Sequence, residues 1–300
     1  MSYIEYFALE MEPFSNAPDA RFYFNSDQHS QALVRLMYAV NSNKGLAVLV
    51  GGVGTGKTTL ARRMLDSLDE SKYESSMLVM VHSGIDPEWI LTRIAMQLGI
   101  QEPATDRLAV LKQLYERLLE IDSQGRKAVI LIDEAQMLQS RELMEEFRGL
   151  LNLEIPGKKL INIVFFGLTE IEDCLRLDEP LAQRVAVKYR LGSFTVDITA
   201  SYINHRLSVA GAKRTMFDPH AIEAVHNYAG GVPRLINTIC DNCLFETHMQ
   251  KGTVVLPKIV DSVAGDLGLL HQPASKLPDA GFQDDDLGEI EDMLDRLEQQ

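Results

Sequence analysis

Residues 51–58 read G-G-V-G-T-G-K-T, which fits the spacing G-x-x-x-x-G-K-[ST]. Glycines at 51, 54 and 56 let a loop fold with its backbone N–H groups turned inward, the arrangement that cradles a polyphosphate. Lys57 is placed to reach β- and γ-phosphate oxygens, and Thr58 to offer a hydroxyl to Mg²⁺. The contact set expected for ATP is Gly51, Gly52, Val53, Gly54, Thr55, Gly56, Lys57, Thr58 and Thr59. Downstream, I-L-I-D-E at 130–134 puts two carboxylates after an apolar run. Asp133 would join Thr58 in holding the metal. Glu134 would orient and polarise an attacking water, since phosphoryl transfer depends on positioning and charge neutralisation. Positive charge at the γ-phosphate is also needed. Besides Lys57, the candidates are Arg184, just before an apolar segment, and Arg234, at a helix start after Gly-Gly-Val-Pro.

Such a loop must sit between a strand and a helix. L-A-V-L-V (46–50) supplies the strand, T-T-L-A-R-R-M-L the helix, and the helix N-terminus adds its dipole beneath the phosphates. Further strands are expected at 77–81, 128–133, 161–167 and 185–191, with helices at 28–42, 86–99, 105–124 and from 140. The strands are solid apolar runs alternating with helices, the pattern of a parallel sheet covered on both faces. From about residue 195 four helices follow without a strand. Residues 271–286 read as a linker, and 287–300 as an acidic amphipathic helix with Leu287, Ile290, Leu294 and Leu297 on one seam.

The formal charge of the 300 residues is −14, of which −8 falls in residues 266–300. A net acidic field repels phosphate backbones, so nucleic acid is not an expected partner. The opening M-S-Y-I-E-Y-F-A lacks a signal-peptide pattern, and no apolar run approaches membrane-spanning length. Three cysteines, two of them a CxxC at Cys240 and Cys243 inside an apolar-periodic helix, read as buried thiols of a reduced, cytoplasmic protein.

Together with the loop and the acidic pair, three longer stretches carry a resemblance: YFALEMEPFSNAPDARFYFNSDQHSQALVRLMYAV, YINHRLSVAG and GGVPRLINTICD. Over most of residues 3–265 the chain resembles the AAA+ ATPases, and within them the general secretion pathway protein A (ExeA/GspA) type. The fold this implies is a P-loop NTPase, α/β, with a three-layer α/β/α parallel sheet followed by a small α-helical lid domain. The expected division is 1–194 for the nucleotide-binding domain, including a family-specific segment at 1–45, and 195–270 for the lid. The resemblance makes Arg184 a finger acting on a neighbouring subunit's ATP and Arg234 a sensor 2 residue reaching the ATP of its own chain. Where the family has Gly-Gln-Pro-Glu-Leu after its fourth strand, this chain has Gly167-Leu168-Thr169-Glu170-Ile171, and Thr169 takes the sensor 1 position. Secretion members carry a transmembrane segment and a peptidoglycan-binding domain downstream, and neither pattern occurs in these residues.

No second substrate motif accompanies the loop, so hydrolysis is expected to drive a conformational or assembly cycle in a nucleotide-dependent homo-oligomer. The expected role is assistance to a bacterial cell-envelope machine, for secretion, pilus formation or polysaccharide export. A protein partner of that machine could dock through 287–300. A DNA-associated regulator of the transposition type is the alternative, and it would need a basic surface or an added DNA-binding domain. A nucleotide-stabilised scaffold with negligible turnover is the third reading.

Overall fold

A computed structural model describes residues 2–269; the expected linker at 271–286 and the acidic segment 287–300 lie outside the described residues. The described chain forms two compact units, residues 27–192 and a second made of 1–26 with 193 onward.

The second unit begins with a one-turn helix, α1 (Tyr3–Tyr6), whose N-cap Ser2 and Glu5 form a reciprocal capping box. The first unit contains α2 (Asp27–Asn41), β1 (Leu46–Gly51), α3 (Lys57–Asp66), β2 (Tyr73–Val79), α4 (Pro87–Gln97), α5 (Arg107–Ser123) and β3 (Lys127–Asp133). It continues with α6 (Arg141–Leu150), a short antiparallel ribbon of β4 (Glu154–Ile155) and β5 (Lys158–Lys159), then β6 (Ile161–Gly167), α7 (Ile171–Arg176), α8 (Glu179–Ala182) and β7 (Val185–Leu191). Five strands form one parallel sheet in the order β2-β3-β6-β1-β7. Parallel pairing requires crossovers, and the intervening helices provide them.

Successive residues of one strand point to opposite sheet faces. Val48 and Val50 therefore join a core with Ile130, Ile132, Ile163 and residues of α4, α5 and α6. Ala47 and Leu49 join another with Val129, Leu131, Phe166 and residues of α2 and α3. Two buried faces explain why β1, β3 and β6 are apolar at nearly every position. At the edges the pressure relaxes. The outer strand β2 spans Tyr73–Val79, not 77–81. Its half-buried Tyr-Glu-Ser-Ser start pairs with β3 although it lacks an apolar signal, while Met80 and Val81 lie past the strand.

The second unit holds α9 (Val196–Val209), α10 (Pro219–Ala229), α11 (Pro233–Met249) and α12 (Pro257–Asp266). Residues 2–26 pack here, which corrects their expected place in the α/β domain. Phe7, Phe14 and Phe22 are buried in the same core as Ile203, Phe217 and Ile239. Arg206, 5% exposed, holds the segment in place: its Nε donates to Pro13 O (2.6 Å), its Nη2 to Ser15 O (2.9 Å), and it lies over the Phe22 ring. The signatures at 6–24 and 202–211 are thus two halves of one packing arrangement. Cys240 and Cys243 are fully buried, and burial pushes the Cys243 thiol up to about 12, so neither is a ready thiolate.

Candidate functional site

The site grows from the carboxyl end of β1, the side of an open parallel sheet where ligands bind. β1 ends at Gly51, and a Cβ there would lie 2.8 Å from Thr55 Oγ1 and 3.1 Å from Leu191 O, so only glycine lets the loop turn so close to β7. Gly54 (φ +77°) and Gly56 (φ +101°) occupy the left-handed region that other residues enter at a cost. Gly56 is the N-cap of α3 and provides no side-chain cap. The amide donors of the first turn are thereby left for a ligand.

Lys57 is 6% exposed and folds back over the loop, its Nζ donating to Gly52 O at 2.8 Å. Thr55 closes the loop from its other side, its hydroxyl donating to Gly52 O at 2.9 Å. Val53 is largely exposed at the tip, and Thr59 is exposed on α3. Thr58 Oγ1 donates to Asp133 Oδ2 over 2.7 Å, although β6 separates β1 from β3 in the sheet. Asp133 is 1% exposed. Burial pushes its carboxyl above the ordinary value, against the opposing pull of the Thr58 hydroxyl, the Glu134 N–H and Lys57. A buried carboxylate paired with a hydroxyl is a hard-oxygen donor set, and it fits Mg²⁺.

Glu134 follows in a left-handed conformation (φ 55°, ψ 37°), uncommon for a residue with a Cβ. The bend ends β3 and starts a single 3₁₀ turn, Ala135–Met137. It also separates the two carboxylates: Asp133 faces Thr58, and Glu134 Oε2 accepts from Gln136 Nε2 at 2.5 Å.

Two site-shaping residues escape the sequence reading. His29 of α2 is 5% exposed, contacts the backbone of Thr55, and would meet a Cβ at Gly56 at 3.0 Å from its Nε2. Burial lowers its pKa to about 4. Gln136, 4% exposed, is the second. In hindsight its one signal is a polar residue two places after Glu134, in a turn closed by apolar neighbours.

The remaining candidates are spread out. Arg184 precedes β7, whose Val185 pairs with Leu46 at the start of β1 and whose Leu191 pairs with Gly51 at its end. One strand length, roughly 20 Å, therefore separates Arg184 from the loop of its own chain. Its Nη1 donates to Asn152 Oδ1 at 2.6 Å. Arg234 is exposed at the first turn of α11 in the other unit. Thr169 is exposed, and its hydroxyl donates to Glu170 Oε2 (3.1 Å), not to Asp133 or Glu134.

Fold and loop together define a P-loop NTPase, and residues 40–175 match the family model described as an AAA domain. Within that class the chain is similar to general secretion pathway protein A of Aeromonas hydrophila. The two are 33% identical over 285 residues, which is 93% of this chain and 50% of that protein, so the chain spans about half the length of this relative. Among solved structures, Cdc6p from Pyrobaculum aerophilum superimposes with a TM-score of 0.67 at 19% identity, covering 87% of this chain and 74% of that one. The Aeropyrum pernix ORC2 protein, solved with ADPNP and ADP, gives 0.64 at 16% identity over 86% and 72%. A Walker-type ATPase of Pyrococcus abyssi gives 0.59 at 16% identity over 96% and 81%. These three share the fold. No helix among the described residues is long and apolar enough to cross a membrane.

Proposed function

We propose that the chain binds ATP with Mg²⁺ at residues 51–59 and hydrolyses it to drive an assembly switch for a bacterial cell-envelope machine. The observation that carries the chemistry is the convergence of Thr58 and Asp133 at 2.7 Å, with Glu134 beside them in its left-handed bend. In this reading Lys57 exchanges its bond to Gly52 O for phosphate oxygens. Thr58 and Asp133 hold the metal, which supplies neutralisation of the β/γ charge. Glu134 accepts a proton-side hydrogen bond from the attacking water.

Arg184 serves the nucleotide of a neighbouring copy, because it is a strand length from its own loop. In this reading the active state is a homo-oligomer, and the strand length between Arg184 and its own loop supports it. Arg234 acts on its own chain's nucleotide and couples the helical unit to nucleotide state. A sensor 1 role for Thr169 requires its hydroxyl to leave Glu170. The envelope context is supported by the similarity to general secretion pathway protein A. The acidic segment 287–300 is the proposed attachment point for a cytoplasmic-side partner.

The test is co-purification. Glu134→Gln with ATP, a trapped state, should retain a component of an envelope machine that Lys57→Ala does not. Tight duplex DNA binding at physiological salt instead would contradict the assignment and favour the transposition-type regulator.

A further inference from the structure

Glu134 does not stand alone after β3. Gln136 Nε2 donates to its Oε2 at 2.5 Å, and Gln136 Oε1 accepts from the Leu168 backbone N–H at 3.0 Å. A primary amide has one oxygen acceptor and two N–H donors. The Leu168 N–H is a donor that cannot reverse, so it fixes the amide oxygen toward β6 and leaves the NH₂ toward Glu134. The backbone of Gln136 is held as well, its carbonyl accepting from Cys174 Sγ (3.6 Å) of α7. At the end of β6 the chain makes room for the amide: a Cβ on Gly167 would come within 3.2 Å of Gln136 Oε1 and 3.4 Å of Gln136 N.

We propose that Gln136 is a positioning residue that fixes the Glu134 carboxylate for its work on water and ties it to the end of β6. The inference rests on the ATP-hydrolysing reading of Glu134. The left-handed backbone at 134 sets the direction in which the side chain leaves β3, but a glutamate retains three further rotatable bonds. The Gln136 donor removes that freedom by holding one carboxylate oxygen, so that the other meets a water in a constant orientation. Since the amide oxygen is bound to Leu168, a shift of the β6 end moves the carboxylate as well. Catalysis by Glu134 thereby becomes sensitive to whatever residues 167–171 touch.

The experiment is a double-mutant cycle on the full chain, reading turnover and affinity for a non-hydrolysable ATP analogue separately. Gln136→Leu keeps the bulk and removes both hydrogen bonds. Gln136→Glu keeps an acceptor for Leu168 N–H and, assayed at a pH high enough to ionise both carboxyls, loses the donor. Each should lower kcat 10- to 100-fold, with analogue affinity within threefold of wild type and a melt that stays cooperative, if a few degrees lower. Gly167→Ala, which crowds the amide from the other side, should lower kcat several-fold with the same unchanged affinity. In a Glu134→Gln background, adding Gln136→Leu should change residual turnover less than twofold, because Gln136 acts through Glu134. A purely structural residue would instead lower analogue affinity and melting together, and its loss would multiply with that of Glu134→Gln. Multiplying losses, or full turnover by Gln136→Glu, would overturn the inference while leaving the ATPase reading standing. Full turnover by Glu134→Gln alone would remove the role of Glu134 itself, and this inference with it.

Discussion

The Thr58 hydroxyl and the Asp133 carboxylate meet at 2.7 Å across the sheet, although β1 and β3 are not neighbours. Thr58 makes that contact from the first turn of α3. It brings the strand that ends in the glycine loop and the strand that ends in the acidic pair to one point. The proposed Mg²⁺ site depends on those two residues sharing one ion.

Lys57→Ala should abolish tight nucleotide binding, reducing affinity for a fluorescent ATP analogue at least 50-fold. The ammonium is nearly buried over the loop, where it donates to Gly52 O, and its removal takes away the charge proposed to meet the phosphates. A Lys57→Ala protein that binds the analogue within threefold of wild type would show that 51–58 is a structural turn.

His29 makes the nucleotide-binding unit acid-sensitive. Its folded-state pKa is about 4, below the ordinary 6.5, so the unfolded chain takes up its proton first. The contribution of neutral His29 is fully present above about pH 6.5 and is lost progressively as pH falls toward 4. The maximum loss is on the order of 3 kcal/mol. His29→Gln, which cannot titrate, should flatten the pH dependence of the melting temperature between pH 6.5 and 4.5. Parallel wild-type and variant curves over that interval would contradict the assignment.

Arg184→Ala and Lys57→Ala proteins, each inactive alone, should partly restore turnover when mixed. A Lys57→Ala subunit still carries Arg184 and can present it to the intact loop of its neighbour. The distance of roughly one strand length between Arg184 and its own loop motivates the test. No recovery in mixtures that demonstrably co-assemble would leave Arg184 as a partner of Asn152 alone.

Gly231→Ala should destabilise the helical unit by about 3 kcal/mol or more. Gly231 has φ +70°, and a Cβ would fall 2.1 Å from the Phe194 carbonyl oxygen, whose own N–H donates to Gly231 O at 2.8 Å. Gly230→Ala meets nothing within 4 Å and pays only the left-handed backbone cost, so it should lose less. Equal chemical denaturation midpoints for the two variants would refute this packing account of Gly-Gly-Val-Pro.

The loop and the acidic pair were legible because each is a local object. Gly51 through Thr58 carry their geometry in their own backbone preferences, and an apolar run ending in Asp133–Glu134 leaves little choice about where a strand ends. His29 and Gln136 were not, because burial against another element's backbone gives them their roles. Nothing at position 29 announces that Gly56 will pack on it, 27 residues later. The strand expected at 77–81 lies at 73–79 for a related reason: an edge strand needs no apolar start when β3 supplies its hydrogen bonds. Residues 1–26 belong to the helical unit and not to the expected nucleotide-binding domain, since an irregular segment has no periodicity to match to a layer.

In the proposed reaction Glu134 turns over a nucleotide that Lys57, Thr58 and Asp133 hold. The most direct measurement sets ATP affinity beside steady-state phosphate release for wild type and Glu134→Gln, with and without Mg²⁺. The expected result is Mg²⁺-dependent release by the wild type, at least a 100-fold loss in the variant, and ATP affinity within threefold between the two. Equal phosphate release by Glu134→Gln, or ATP bound by both but hydrolysed by neither, would contradict it.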